Sequence, residues 1–300
     1  MGRDSDVVDR RVGVLGATSL VGKCLIPLLI QDGWEVTAFS RQKVDSEFIQ
    51  TSTAVKWYSL ESLHENQPNF NLDQKIPYWF YLAPIWTLPA YFDFLSKQIV
   101  KKIIVLSSTS IFTKEASSDT SEIKIAEKLK EGEVALRNWA GKHGINWIIL
   151  RPTLIYGYGQ DRNICEIAHF IQRFHFFPLL GNASGLRQPI HADDVAMACY
   201  AAFLSQQVAN RVYNISGNEL ISYREMVERV FYALDKPPIL LKIPYWFFRL
   251  TIKLLKLFPR YSNWSIAMVE RMGRDLIFDH SEAARDFGFM PRSFRLGKED

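Results

Sequence analysis

One stretch constrains the fold more than any other: Val12-Gly13-Val14-Leu15-Gly16-Ala17-Thr18-Ser19-Leu20-Val21-Gly22. The short apolar run Arg11 to Leu15 has the character of a buried strand. It ends at a glycine, and Leu20 to Ile30 then reads as a helix. Gly16 lets the chain turn tightly. Small residues after it let backbone N–H groups approach a pyrophosphate, whose charge the helix N-terminus favours. Gly22 would let the helix lie close to the sheet. A glycine motif needs this strand–turn–helix context to carry meaning, and the context is present. Gly16, Thr18, Ser19, Leu20, Val21 and Gly22 are therefore expected to cradle a dinucleotide.

The rest of the first half repeats the alternation. Glu35 to Phe39, Ile76 to Leu82, Lys102 to Leu106 and Asn146 to Leu150 are apolar, β-rich runs, and Ala126 to Lys142 is helical in pattern. Strands alternating with helices at this spacing imply βαβ units and a parallel sheet. After Pro152, Gly/Pro/Asn-rich loops at 156–163 and 178–189 interrupt helical segments, and Arg211 to Ile215 is one more strand. Residues 222–234 are amphipathic, with Ser222 and Glu225 spaced as a capping box. Three hundred residues, 48% hydrophobic and 23% charged, suit a globular chain of one large or two modest domains. A net charge of +4 is too small to suggest nucleic-acid binding. Cys24, Cys165 and Cys199 lack metal or redox spacing. With the polar opening Met1–Arg11 and no long uncharged apolar run, they lead to the expectation of a cytoplasmic protein without a metal site.

The second strand decides which dinucleotide is favoured. In NAD-binding chains it ends in a carboxylate that holds the adenosine ribose. Here it ends Ala38-Phe39-Ser40-Arg41. Ser40 and Arg41 at that place suit a 2′-phosphate, so NADP(H) is expected over NAD(H).

The ordered motifs resemble the extended short-chain dehydrogenases/reductases, the superfamily of nucleotide-sugar epimerases and dehydratases. Gly16 to Gly22 resembles G-x-x-G-x-x-G, with Ser19 at the middle glycine. Tyr81-Leu82-Ala83-Pro84 resembles the fourth strand, and Leu106-Ser107-Ser108-Thr109-Ser110-Ile111-Phe112 the S-S-x-x-V-Y segment of the fifth. Leu150-Arg151-Pro152-Thr153-Leu154-Ile155-Tyr156-Gly157 resembles L-R-P-x-x-x-Y-G. Arg187 to Ala196 resembles R-x-x-I-H-V-D-D-V-A, Tyr213 to Gly217 Y-N-I-G-G, and Phe287 to Pro291 L-G-F-x-P. The resemblance implies an α/β fold: a Rossmann-type doubly wound parallel sheet over residues 1–155, with a smaller C-terminal substrate-binding part over 156–300 packed on it. It implies that Leu82, Ala83, Pro84, Ser107 and Pro152 also line the cofactor and that Ser108 orients the substrate. It implies a nucleotide-sugar substrate whose phosphates face Arg187, and a possible homodimer. A guanidinium in such a loop is also, by its own chemistry, a good anion clamp. Asp193 and Asp194 are expected to cap the helix they precede, and His191 to be structural.

The catalytic pattern departs from the family's. Its chemistry uses a Tyr-x-x-x-Lys helix whose phenolate moves a proton as hydride passes to or from the nicotinamide. No tyrosine stands between Phe92 and Ile155. If Glu133 is the family glutamate four residues after the lysine, Ile125 and Leu129 replace Tyr and Lys. With the register shifted by one, Lys124 and Lys128 take those places, and Lys128 could still contact the nicotinamide ribose. Three readings stay open. One is a divergent epimerase, dehydratase or reductase whose acid/base is Tyr156, Tyr158 or a water held by Ser108. Another is a non-catalytic NADP(H)-binding scaffold like the superfamily's accessory subunit of respiratory complex I. The third is a redox-sensing module.

The charge is unevenly distributed. Pro237 to Val269 holds no acidic residue. Within it, 244–258 reads as a short basic, aromatic-rich helix bounded by Pro244 and Pro259. Lys242, Arg249, Lys253 and Lys256 would share one stripe. Peripheral contact with the inner face of a membrane, a lid, a partner surface and simple core packing are the alternatives.

Overall fold

The computed structural model describes residues 10–41, 55–60, 72, 74–244, 271–297 and 300. Most of the 244–258 helix expectation lies outside these residues.

The chain forms an α/β fold around a seven-stranded sheet of order β11-β6-β5-β4-β1-β2-β3. The strands are β1 (Arg11–Leu15), β2 (Glu35–Ser40), β3 (Val55–Ser59), β4 (Tyr78–Tyr81), β5 (Lys102–Leu106), β6 (Asn146–Pro152) and β11 (Arg211–Ile215). β1 pairs in parallel with β2 and β4, and β2–β3, β4–β5 and β5–β6 are parallel as well. The order reverses direction between β1 and β4. In open α/β sheets such a switch point is where ligands bind, beyond the carboxyl ends of the strands. β1 and β5 run four consecutive buried residues each, as strands covered on both faces do. The expected strands are present. β3 has no clear signal in the sequence, because its residues are only half-buried and alternate poorly.

Two compact units interleave along the chain. The first comprises Met1–Ser107, Leu129–Leu150 and Ala196–Tyr213, and the second Ser108–Lys128, Arg151–Val195 and Asn214–Asp300. The first unit uses its aromatics to cover the sheet. Trp79 packs on Phe39 and Phe94, with ring centroids 5.8 and 5.5 Å away, and Trp34 and Phe80 contact Phe203 at 4.8 and 5.2 Å. Trp79 also explains Gly13: a Cβ there would sit 2.4 Å from the indole.

Helix α1 (Leu20–Gln31) follows β1. A short helix, α2 (Phe92–Ser96), and the single turn α3 (Ser110–Thr113) precede α4 (Thr120–His143). α4 starts six residues before the hydrophobic pattern suggests. The reason is local: the Asp119 carboxylate accepts the Ser121 N–H at 2.9 Å and its carbonyl accepts the Glu122 N–H.

In the second unit, the small strands β7 (Ile155–Tyr156), β8 (Phe177–Leu180), β9 (Leu186–Arg187), β10 (Ile190–His191), β12 (Ile221–Ser222) and β13 (Leu240–Ile243) form three two-stranded ribbons. Helices α5 (Asn163–Phe174) and α7 (Tyr223–Ala233) share a core with them, including Ile164, Ile171, Leu179, Val227, Phe231 and Phe294. α6 (Ala192–Leu204) lies between these helices in sequence, and α8 (Ser281–Phe287) near the end. Ser222 caps α7 by accepting the Glu225 N–H at 3.0 Å, half of the expected box.

Candidate functional site

The β1–α1 turn has the form a dinucleotide requires. Gly16 has φ +86°, in the region that favours glycine, and a Cβ there would lie 2.9 Å from the Ala83 nitrogen. The N–H groups of Gly16 and Ala17 both donate to the Phe39 carbonyl, at 3.2 and 3.1 Å, tying the turn to the end of β2. A Cβ on Gly22 would lie 2.5 Å from the Ala17 carbonyl oxygen. The backbone is thus close-packed where side chains would block a pyrophosphate. Ser19, at the family's middle glycine, has its own task. Its hydroxyl accepts the Gly22 N–H at 3.1 Å and caps α1. The N–H groups of Leu20 and Val21 remain at the helix start without an intrahelical acceptor. These features fit a bound NAD(P), whose phosphates would meet that helix end.

Around the turn, Thr18 Oγ1 and Ser40 Oγ are 2.8 Å apart, and Ser40 is buried. Arg41 is exposed directly after β2, close enough for its charge to oppose the upward pKa shifts that burial imposes on Tyr81 and Tyr91. Leu82 follows β4, and its N–H donates to Leu15 O at 2.8 Å. Ala83 faces Gly16 as above, and Pro84 carries on into the 3₁₀ turn Ile85–Tyr91. Gly16, Thr18, Ser40, Leu82 and Ala83 are therefore assembled around one turn.

The end of β5 is organised differently. Ser107 donates its hydroxyl proton to Glu133 Oε1 at 2.7 Å, and Arg137 reaches the same carboxylate at 3.0 Å. Glu133 is only 2% exposed. This anchor between β5 and α4 was not read from the sequence. Its only signal was the glutamate's place in the family pattern. Along α4, Glu122, Ala126, Leu129, Glu133, Leu136 and Ala140 are buried at helical spacing. Ile125 is half-buried, while Lys124 and Lys128 are exposed.

In the second unit, half-buried Ser108 accepts the Ser110 N–H at 3.1 Å, and Thr109 bonds the Pro152 carbonyl through both N–H and hydroxyl. Arg187 is buried. It donates to the carbonyls of Leu186 at 2.8 Å, Arg274 at 2.7 Å and Arg271, and stacks 5.5 Å from the Tyr223 ring. Burial lowers its pKa to about 10, with Arg271 adding to the shift. Lys114 is pushed down by burial, and the charge of Arg271 acts in the same direction. Arg271 also pairs with Glu122, which accepts from Ser117 at 2.7 Å. Lys114, Arg187 and Arg271 thus make a cationic group that Glu122, Asp119 and Asp275 partly offset.

The two tyrosines expected as alternative bases, Tyr156 and Tyr158, are committed. Tyr156 is fully buried and its pKa is raised to about 12 by burial. Tyr158 donates to the Asp193 carboxylate at 2.9 Å. His191 accepts the Asp193 N–H and contacts Asp300 at 3.3 Å. Asp193 and Asp194 do not cap α6 as expected. They lie inside its first turn and hold Arg292 instead, because a cation outside the helix competes for their oxygens.

Residues 92–216 match the NAD dependent epimerase/dehydratase family. Over that stretch, under half of the chain, the sequence is similar to that family. The chain is 26% identical over 161 residues to a Vibrio cholerae UDP-glucose 4-epimerase, covering 54% of this chain and 47% of that one. It is also 26% identical over 98 residues to an Arabidopsis thaliana mitochondrial NADH dehydrogenase [ubiquinone] 1 alpha subcomplex subunit 9, covering 32% and 24%. The matched part is about half the length of the first curated relatives. Among solved structures, a Bacillus cereus UDP-glucuronic acid 4-epimerase in complex with UDP-glucuronic acid and NAD superposes with TM-score 0.71 at 14% identity, over 97% of this chain and 96% of that one. A Thermotoga maritima UDP-glucose 4-epimerase with UDP-glucose gives 0.65 at 18% identity, over 94% and 93%. At these identities the structural likeness is one of fold.

Proposed function

We propose that this epimerase/dehydratase relative is an NAD(P)-dependent enzyme acting on a nucleotide-sugar or a related phosphate-bearing substrate. The observation that carries the reading is the close-packed glycine turn, where Gly16 and Gly22 leave no room for a Cβ. The nicotinamide would accept and return hydride. Gly16, Ser19, Leu20, Val21 and Gly22 would hold its pyrophosphate. Ser40 and Arg41, where a carboxylate would select NAD, favour NADP(H). Ser107 and Pro152 would flank the nicotinamide end, Ser107 through its support of Glu133. Ser108 would hold the reacting hydroxyl. Lys114, Arg187 and Arg271 supply the charge that a diphosphate needs. Lys128 would lie near the nicotinamide ribose only if the register shifts by one. The buried Glu133 supports the other register, in which Ile125 and Leu129 stand at the family's Tyr and Lys.

A specific observation also favours a second reading. With no phenol at 125 and no ammonium at 129, the chain would bind NADP(H) as a scaffold without turnover. Its similarity to a protein named as a respiratory NADH dehydrogenase subunit fits that alternative.

One experiment separates the two. Purified protein is titrated with NADPH and NADH, then incubated with oxidised cofactor and UDP-glucose or UDP-glucuronic acid deuterated at the carbon that would lose hydride. Enzymatic function requires hydride exchange or product that Ser108→Ala reduces by about 10²-fold or more. Tight NADPH binding with no exchange establishes the scaffold. Full activity in Ser108→Ala rejects the proposed site.

A further inference from the structure

The second unit carries a surface that the nucleotide chemistry does not use. α5 ends at Phe174, and His175 takes a left-handed φ of +63°, turning the chain sharply into β8. The corner brings Phe170, Phe174 and Phe176 together, with Phe174 centroids 4.7 and 6.3 Å from the other two. Arg173 lies 5.6 Å over the Phe174 ring. β13 runs alongside: Phe177 N–H donates to Ile239 O at 2.9 Å, and β13 pairs with β8 in parallel. Lys236 reaches His175 at 3.2 Å and Lys242 reaches Asn182 at 3.1 Å. Phe174, Ile239 and Leu241 are exposed on these two runs.

The charge on this face is one-sided. Residues 167–182 and 230–244 contain a single acid, Asp235, against Arg173, Lys236 and Lys242. The sequence that continues from β13 reaches Val269 without an acidic residue. Exposed aliphatic and aromatic side chains interleaved with lysine and arginine match a particular chemistry. Apolar tips enter the acyl boundary of a bilayer while the cations meet anionic headgroups. Nucleic acid would satisfy the cations and leave Ile239 and Leu241 without a place.

We propose that the face formed by the α5–β8 corner and β13 docks on an anionic lipid surface. The attachment is peripheral: among the described residues no helix is long and apolar enough to cross a membrane. Near such a surface each lysine or arginine contributes roughly fivefold to partitioning, and salt weakens it.

The test uses the whole chain and sedimented vesicles, either pure phosphatidylcholine or phosphatidylcholine with one-third phosphatidylglycerol. The expected result is binding to the anionic vesicles at low salt, release at high salt, and no retention by the neutral ones. Substituting Arg173→Gln, Lys236→Gln and Lys242→Gln together should lower partitioning by about 100-fold. Leu241→Ser, which leaves the charge intact and guards against misfolding of the triple variant, should lower it several-fold. No binding to anionic vesicles overturns the proposal, and so does equal binding to neutral ones. Undiminished binding by both variants moves the contact to another face and also overturns it. If light scattering shows a dimer that the triple substitution splits, the face belongs to a second copy and the proposal fails.

Discussion

The first unit contains two strand ends, separated by β4, that are built differently. At the end of β1 the backbone leaves no freedom: Gly16 and Gly22 are forced by contacts at 2.9 and 2.5 Å, and Ser19 adds a cap. At the end of β5 the support is intact, with Ser107 and Arg137 on a buried Glu133, and in the proposed register Ile125 and Leu129 stand where the family has Tyr and Lys. A cofactor cradle is built from backbone and cannot be altered piecemeal. A catalytic pair is two side chains on a helix that folds without them. Under the proposed function, such a chain would keep its nucleotide site while its acid/base changes.

The sharpest way to break this contrast is to restore the pair. Ile125→Tyr with Leu129→Lys places phenol and ammonium four residues apart on α4. If the enzyme works through a substitute base, turnover should rise by about 10²–10⁴-fold, the usual contribution of a positioned general acid/base. Deuterium passed to the oxidised cofactor from the labelled UDP-sugar measures it. Leu129 is 3% exposed, so the lysine will also lower stability, and the variant is compared at a temperature where both forms are folded. No gain at all would mean that the rest of the site is not arranged for this reaction.

The cradle is challenged next. Gly16→Ala forces a Cβ against the Ala83 backbone in a left-handed conformation. Strain and overpacking together cost roughly 2–3 kcal/mol, so NADPH affinity should fall by about 100-fold. Fluorescence titration reads this, and circular dichroism shows whether the sheet survives. An unchanged Kd would place the nucleotide elsewhere.

Glu133→Ala tests the support without touching the cradle. It leaves Ser107 and Arg137 without their shared acceptor and opens a cavity, a loss of about 2–3 kcal/mol. Urea unfolding should report the loss while NADPH affinity changes less than twofold. A large drop in affinity would mean the two strand ends are coupled rather than independent.

The sequence revealed the glycine turn well because it depends on glycines and apolar periodicity, both local. Gly16, Gly22 and the strand before them needed only the pattern around them. Ser19 looked like a deviation, yet its cap is a local interaction that Ser-x-x-Gly cannot announce. Glu133 was visible only as a place in a family pattern. Nothing local distinguishes a buried glutamate from the exposed ones at 127 and 131 on the same helix. Asp193 and Asp194 misled for the same reason: their partner, Arg292, lies 98 residues away from Asp194. Arg187 was expected as an anion clamp from its Gly/Pro-rich loop, whereas the carbonyls at 271 and 274 that it donates to come from long-range folding. Local conformational demands are written in sequence, whereas charge pairing across the fold is not.

The smallest effect lies at the opposite end of β5, where the strand begins. In α/β sheets chemistry gathers at the carboxyl ends of strands, and the other ends serve stability. Lys102 fits that division. Its ammonium donates to the carbonyls of Ala202, Phe203 and Ser205 at 2.7–2.9 Å, closing the C-terminus of α6, where a cation also suits the helix dipole. Burial nevertheless lowers its pKa from 10.5 to about 8. Between those values the folded chain holds fewer protons than the unfolded one, so stability rises with pH across the window. As pH falls from 10.5 to 8 that increment is lost, and below 8 the penalty for charging the buried amine is complete. The stability difference between the wild type and Lys102→Met, followed by urea midpoint, should therefore shift in favour of the wild type as pH climbs through this window. NADPH affinity should stay constant. A flat difference would mean that the three carbonyls hold the amine at its ordinary pKa, and burial would then not be what tunes this end of the strand.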